Sequence, residues 1–511
     1  MLKNLSLIFV IIFQLVTAQS IDTSFGTAGY SFINPSSALD KAGDFIVDQN
    51  QSIIALGNVG PATKRAIYKI DSSGKRDSSF GTNGVNITEN SRQYKILKLS
   101  DNKFLSVGEI GSSVHIQKFN TNGLLDVGFA NAGNLYIDVS PGNSTNWARD
   151  AVELNNGQIL VSAAYTQGNS SLKTTLLKIN QDGSVDTSFG NNGKLIIEID
   201  SGETGNYADN ILLTDNNTIV LAGVFGKQIG QNPKKTYLYL AKLQYDGSFV
   251  SSFGTNGKKI LEFTASQIYA QAVQDKNGNF YIASYLADVN GQRNTSLLKV
   301  LKNGQTDTSF GNNGISVYKF LNETDFRGET VNSILVGNQG IYLGGNYYPN
   351  PVPGFEAGIA FLCKFNFDGT PDLSFGTNGL FKFTGFNKIR QLSTIKFNSK
   401  MNILASGDSN SSDRAFTIAS VIIPTETLRT TEITEDNVKI FPNPVIDFLV
   451  VESQNKIERI DLYDFSGKIV PLLIEKSELN KNKVKIDFKN IKNGSYILFI
   501  NNDKSFKIIK K

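Results

Sequence analysis

The sequence predicts an all-β protein, a seven-bladed β-propeller followed by a small C-terminal β-sandwich. Three observations point to it. An octet close to DTSFGTNG returns seven times between residues 22 and 379. Between copies lie short β-branched and aromatic runs separated by Gly, Asn and Asp turns. After residue 424 the octet stops and a different strand pattern begins. The 46 glycines, two methionines and 40% apolar residues fit globular, turn-rich β-structure.

The first 18 residues predict a secretory signal peptide, with Lys3, an apolar stretch from Leu5 to Val16, and small-residue spacing at Val16-Thr17-Ala18 that sets the cut before Gln19. Twelve apolar residues fall short of the roughly 20 that span a bilayer, so the mature protein is expected to have no transmembrane helix. Cys363 is the single cysteine. No cysteine near the cut takes a lipid, no intrachain disulfide forms, and the run GIAFLCKFNF makes Cys363 a small buried hydrophobe.

The octets begin at residues 22, 77, 126, 186, 250, 307 and 372, and their phenylalanines are Phe25, Phe80, Phe129, Phe189, Phe253, Phe310 and Phe375, spaced 49 to 65 residues apart. Two landmarks keep step. One is a turn leading into an apolar run, as in DNKFLSVG at 101 to 108; the other is a strand with Lys before its last apolar residue, as in AIYKI, LLKI and FLCKF. With two further stretches per unit, such as VNITE and YKILKL, each unit holds about four strands, the content of a propeller blade. Closing seven blades on themselves removes the exposed edges that the alternative, an open array of small sheets, would leave.

Each letter of the octet has a physical task. The Phe is expected as a plug between neighbouring sheets, worth roughly 1.5 to 3 kcal/mol of apolar burial. The Gly after it, Ala130 in one copy, suggests a close backbone approach, and the closing Gly suits positive φ. Because Ala28 and Ala132 replace the Asn before that Gly, the expected turn has only the Gly left-handed and is not type I′. The repeated Asp invites a calcium reading. Val250 in the fifth copy and the missing Glu at loop position twelve favour an Asp that caps local backbone instead, so no metal is expected.

On these residues the repeat resembles the delta-60 repeat family of bacterial surface and secreted proteins, over most of residues 20 to 423. The resemblance implies a propeller-like region and supplies no activity. The predicted organisation is a signal peptide at 1–18, the propeller at 19–424, a polar linker at 425–437 and a sandwich at 438–511. That last stretch resembles the type IX secretion system C-terminal sorting domain of the Bacteroidetes. The residues behind the likeness are Phe441-Pro442-Asn443-Pro444, the strand-turn-strand LYDFSGKIV with Gly467, NGSYILFI with Gly494, and the basic end at Lys510 and Lys511. The resemblance implies export through the periplasm and across the outer membrane, the secretion machinery and a sortase-like peptidase as partners, and a product attached to surface lipopolysaccharide or released.

The chemistry is sparse. A net charge of +4 leaves no footprint for nucleic acid. With one His and one Cys, no zinc cluster, Ser-His-Asp triad or Cys-His dyad is expected, no phosphate loop is present, and no cofactor is expected; His115 is expected as a packed blade residue. Binding is better motivated. Variable segments at 138–150, 223–237, 286–296 and 344–358 contrast with the stereotyped turns, and as loops on a rigid scaffold they would offer Trp147, Arg293, Tyr347, Tyr348 and Phe355 to a carbohydrate or peptide. The expectation is a non-catalytic binding or adhesion protein. The alternative is a secreted polysaccharide-active enzyme using carboxylates in the propeller mouth.

Overall fold

A computed structural model of the protein describes residues 19–33, 41–59, 64–88, 91–140, 144–167, 171–214, 217–227, 235–263, 270–287, 292–320, 326–349, 358–384, 388–409, 415–424, 433–435, 438–464, 469–472, 474, 481–501 and 504–510. The signal peptide expected at 1–18 lies outside them. The described residues are all-β, without helices, and the chain divides into two compact units, with the division between Ile423 and Pro424.

The octet builds the joint of the first unit. Its Asp accepts from the Ser two residues on, as at Ser309 N (3.1 Å) and Ser309 Oγ (2.5 Å) to Asp307. The other carboxylate oxygen takes the Lys of the preceding strand: Lys69 to Asp77 at 3.1 Å, Lys299 to Asp307 and Lys364 to Asp372 at 2.9 Å. Two landmarks that looked independent in the sequence are therefore bonded partners. In the copy that begins with Asp22 the third strand offers Ser420 instead, whose Oγ lies 3.3 Å from Asp22.

The turn differs from the expected one. Ala28, Asn83, Ala132, Asn192, Asn256, Asn313 and Asn378 all have φ between 48° and 53°, and the following glycines are also left-handed. With Tyr30 N donating to Thr27 O at 3.2 Å, this is a two-residue turn with positive φ at both centres, the type I′ pattern. Alanine occupies αL at a cost of roughly 1–2 kcal/mol, which the packed joint tolerates.

Each octet Phe is buried, none more than 4% exposed. The rings of Phe25, Phe80, Phe129, Phe189 and Phe310 face the glycine of the Asx-Gly or Ser-Gly turn in the next unit: a Cβ on Gly369 would come within 3.0 Å of Phe310, and one on Gly123 within 2.5 Å of Phe80. The residue after the Phe sends its N–H to the same turn, Gly81 to Asn122 O and Ala130 to Asp182 O at 2.7 Å. Phe and glycine thus lock consecutive units together.

Among the described residues these units form seven antiparallel sheets. The first six are four-stranded, and their first strands are Lys41–Val47, Arg92–Lys98, Asn146–Glu153, Glu203–Thr214, Gln271–Gln274 and Phe326–Val336. The seventh contains Ile389–Phe397, Ile403–Ser409 and Phe416–Ile422, and is completed from the other end of the chain: Ser20–Ile21 and Tyr30–Ile33 both pair with Phe416–Ile422, with Tyr30 opposite Ala419 and Phe32 opposite Thr417. First strands touch in sequence order, and the seventh touches the first. Each of the seven interfaces has its own apolar cluster containing one octet Phe, from Phe25 with Phe45 and Phe416 to Phe375 with Tyr342 and Ile403.

The second unit holds two four-stranded antiparallel sheets over one core that includes Ile440, Leu449, Val484, Leu462, Leu498 and Ile508. Ile433–Glu435, expected as linker, pairs with Val438–Phe441 as a strand. The Phe441-Pro442-Asn443-Pro444 motif reaches toward the last strand, Lys504–Lys510: Ile509 N donates to Asn443 Oδ1 at 2.9 Å, and Val445 N donates to Ile509 O at 2.7 Å. Gly467 lies outside the described residues. Gly494 opens the strand Gly494–Ile500.

Candidate binding site on the first strands

In each of the first six sheets the first strand has an in-sheet neighbour on one side only, and its partner is the second strand. A β-bulge breaks that pairing at the same place in six of the seven sheets, between Ala42/Phe45, Gln93/Lys95, Ala148/Asp150, Ala208/Asn210, Val331/Ser333 and Leu392/Thr394. Bulges re-aim side chains, and here they set a polar residue where the alternating apolar pattern would fail.

These polar residues stitch neighbouring sheets. Asp150 Oδ2 accepts from Ile211 N at 3.0 Å, Asn210 Oδ1 from Ala272 N at 3.0 Å, and Ser333 Oγ from Ile395 N at 3.1 Å. Lys95 takes the equivalent place in the second sheet and bridges Asp150 (3.3 Å) and Asp44 (3.7 Å), while Lys396 reaches Asp44 at 2.9 Å. Burial pushes the Asp44 carboxyl up, but Lys396 and Lys95 outweigh it and hold the group below the ordinary carboxylate range. Asp150, against burial and with help from Asp44, raises the Lys95 ammonium above the ordinary lysine value. The two carboxylates are committed to structure.

The residues inside the bulges of sheets two to four are Tyr94, Arg149 and Asp209. The half-buried Arg149 guanidinium lies over Trp147 at 5.7 Å and over Tyr207 at 5.6 Å. Such stacking contributes about 0.5–2 kcal/mol and fixes a long side chain. Tyr94 donates to Glu109 at 2.9 Å. Asp209 accepts from Ala270 N at 3.3 Å, and burial pushes its carboxyl up to about 7, against the pull of Arg149 and with the push of Asp150. Two donors stand out: among the described residues, buried Trp147 Nε1 and Arg149 Nε have no hydrogen-bond partner. A buried unmatched donor costs about 1–3 kcal/mol, which a bound acceptor removes.

The residues singled out from sequence fall differently. Trp147, Arg293, Tyr347 and Tyr348 stand on strands, not loops, because the ladders run far into the variable segments; Thr218–Lys227 and Lys235–Gln244 pair over their whole length. Trp147 joins Arg149 and Tyr207. Arg293 sits over Tyr285 at 4.7 Å in the fifth sheet. Tyr347 is buried in the cluster between sheets five and six, with Lys382 at 5.2 Å from its ring. The Tyr348 side chain and Phe355 lie outside the described residues. Sequence reasoning missed Arg149, Tyr207 and Asp209; the available signal was the polar residue before the apolar pair in each first strand, as in RDAV and DNIL.

His115 is sealed. Its Nδ1 lies 2.7 Å from Ser91 Oγ and its Nε2 3.1 Å from Asn134 Oδ1, with the Tyr136 ring stacked at 4.7 Å. Burial pushes its pKa down to about 4, so it stays neutral. Ser91 is fully buried, leaving this hydroxyl-imidazole pair no access for a substrate.

Fold and tail together define an exported β-propeller protein. Residues 439–511 match the family described as Secretion system C-terminal sorting domain, and residues 154–189 match the Domain of unknown function (DUF5122) beta-propeller. The chain carries a type IX sorting tail and is exported to the cell surface or secreted. No curated protein matches it. Among solved structures it is similar to the extracellular domains 1–2 of Drosophila Semaphorin 1b (8% identity, TM-score 0.40, 81% of this chain and 89% of that one). A protein of unknown function from Dyadobacter fermentans is similar at 12% identity and TM-score 0.40, over 80% of this chain and all 100% of that one. An ulvan lyase of a polysaccharide lyase family follows at 10% identity and TM-score 0.38, over 76% and 94%. At these scores the likeness has no bearing on what this chain binds.

Proposed function

We propose that the exported protein is a non-catalytic binding or adhesion module: a seven-bladed propeller, closed by its own N-terminal strands, that presents a ligand site on its first strands and is delivered by a C-terminal β-sandwich. The observation behind this reading is the stacked Arg149 between Trp147 and Tyr207 with unmatched N–H donors. Aromatic faces and directed donors suit a sugar or a peptide. Secretion machinery and a sortase-like peptidase are the partners its tail would engage, with attachment to the surface or release as the outcome.

A second reading, a polysaccharide-active enzyme, has one observation in its favour: a carboxyl raised to about 7, as at Asp209, suits a general acid. Against it, the neighbouring carboxylate Asp150 is taken by Lys95 and by Ile211 N and is not free to act as the second carboxylate. The test is the mature chain, residues 19–511, applied to a glycan array and assayed for new reducing ends. Glycan binding without new reducing ends is expected; release of reducing ends establishes the enzyme instead.

A further inference from the structure

We propose that the Arg149 site takes a carboxylate-bearing sugar, a uronic acid unit of a polysaccharide, with the carboxylate on the guanidinium and the sugar ring against the flanking aromatics. This rests on the binding reading above and names its ligand class.

The chemistry of the site selects an acceptor-rich ligand. Trp147 Nε1 and Arg149 Nε are both donors, and both are buried without partners among the described residues. Among the described residues the guanidinium lies over two rings and forms no ion pair with a carboxylate, so its forked N–H edge stays suited to a planar anion. The nearby charges add to this preference. Asp44 and Asp150 are matched by Lys396 and Lys95, and Asp209, whose raised carboxyl is only partly ionised near neutral pH, leaves the Arg149 cation incompletely balanced. A carboxylate alone would meet the guanidinium but leave the rings uncovered. A neutral sugar would cover a ring but leave the charge unmatched. A uronate supplies both, and its hydroxyls can donate to Asp209, whose carboxyl feels the Arg149 charge. An acidic peptide offers the carboxylate without a rigid C–H face for the indole.

Trp147 is the only tryptophan in the chain, so its emission reports on this site. The experiment titrates residues 19–511 with D-glucuronate and D-galacturonate, and separately with glucose, acetate and N-acetylglutamate. A saturable change in emission with at least one uronate is expected, with an apparent Kd at least tenfold tighter than for each of the other three. Arg149→Gln, at unchanged thermal midpoint, should weaken it at least tenfold, and Arg149→Lys should retain part of it. If Arg149→Gln fails to fold, Tyr207→Leu serves the same comparison. Equal response to glucose, acetate or N-acetylglutamate, no saturable uronate response, or full binding by the variant overturns the inference. If the glycan array shows binding while Trp147 stays silent to uronates, the ligand class fails and the broader binding reading stands; no binding on either defeats both.

Discussion

Gln19 Oε1 accepts the N–H of Gly376 at 2.7 Å, where other octets hand the same N–H to a main-chain oxygen of the next unit, as Gly311 does to Asp368 O at 2.7 Å. The seventh octet has no following repeat, and the first residue after the expected signal-peptide cut supplies the missing acceptor. Gln19→Ala should lower stability by about 1 kcal/mol, the net worth of one such bond. Ser20→Ala beside it should change little. Chemical denaturation of the 19–511 chain checks the pair.

The joint itself makes two opposite predictions. Phe310→Ala empties the plug between sheets five and six and should cost about 3–5 kcal/mol. Ala132→Asn, at φ 48°, should stabilise by up to about 1 kcal/mol, because Asn tolerates the left-handed region better. Thermal denaturation read by far-UV circular dichroism distinguishes these signs.

Val250 interrupts the Lys-Asp pairing in one unit, opposite Lys242, whose N–H still donates to Gly257 O at 2.9 Å. Val250→Asp restores the acceptor for both Ser252 and Lys242, and should add about 0.5–1 kcal/mol. Val250→Asn, without the charge, should recover less. The two denaturation midpoints give the comparison.

Asp209 sets a pH dependence of known sign. Its folded pKa, about 7, lies above the unfolded carboxylate value, so its contribution is fully present below about pH 4 and is lost as pH rises through 7. The octet carboxylates act the other way: Asp77 and Asp307 are lowered, first by the Ser hydroxyls, and their contribution is lost as pH falls. The readout is therefore the wild-type stability minus that of Asp209→Asn. That difference should fall between pH 4 and 8 by on the order of 1–2 kcal/mol, after discounting for partial exposure. A flat difference would show Asp209 to be unperturbed.

Much of the joint was legible because identical physics recurs seven times. The Phe plug, the capping Asp and the strand Lys recur because each meets similar neighbours in most units, with Val250 and Ser420 as the exceptions. The turn type was misread because Ala28 and Ala132 suggested a barrier that packing in fact overcomes. The candidate site was less legible for the opposite reason. Asp44, Lys95, Asp150, Asn210, Ser333 and Thr394 occupy one structural position with changing chemistry, so repetition does not mark them. Nor does a sequence show that Arg149 and Tyr207, on adjacent sheets, share a stack.

The proposed closure of the ring by the N-terminal strand is what the reading of the first strands rests on. It is tested by Phe32→Cys with Thr417→Cys, residues directly opposite in register, in a Cys363→Ala background. Mild oxidation of residues 19–511 should give a monomer with a nearly complete intramolecular disulfide, shifted on non-reducing electrophoresis. Free thiols throughout, or disulfide-linked dimers as the main product, would contradict a ring closed within one chain.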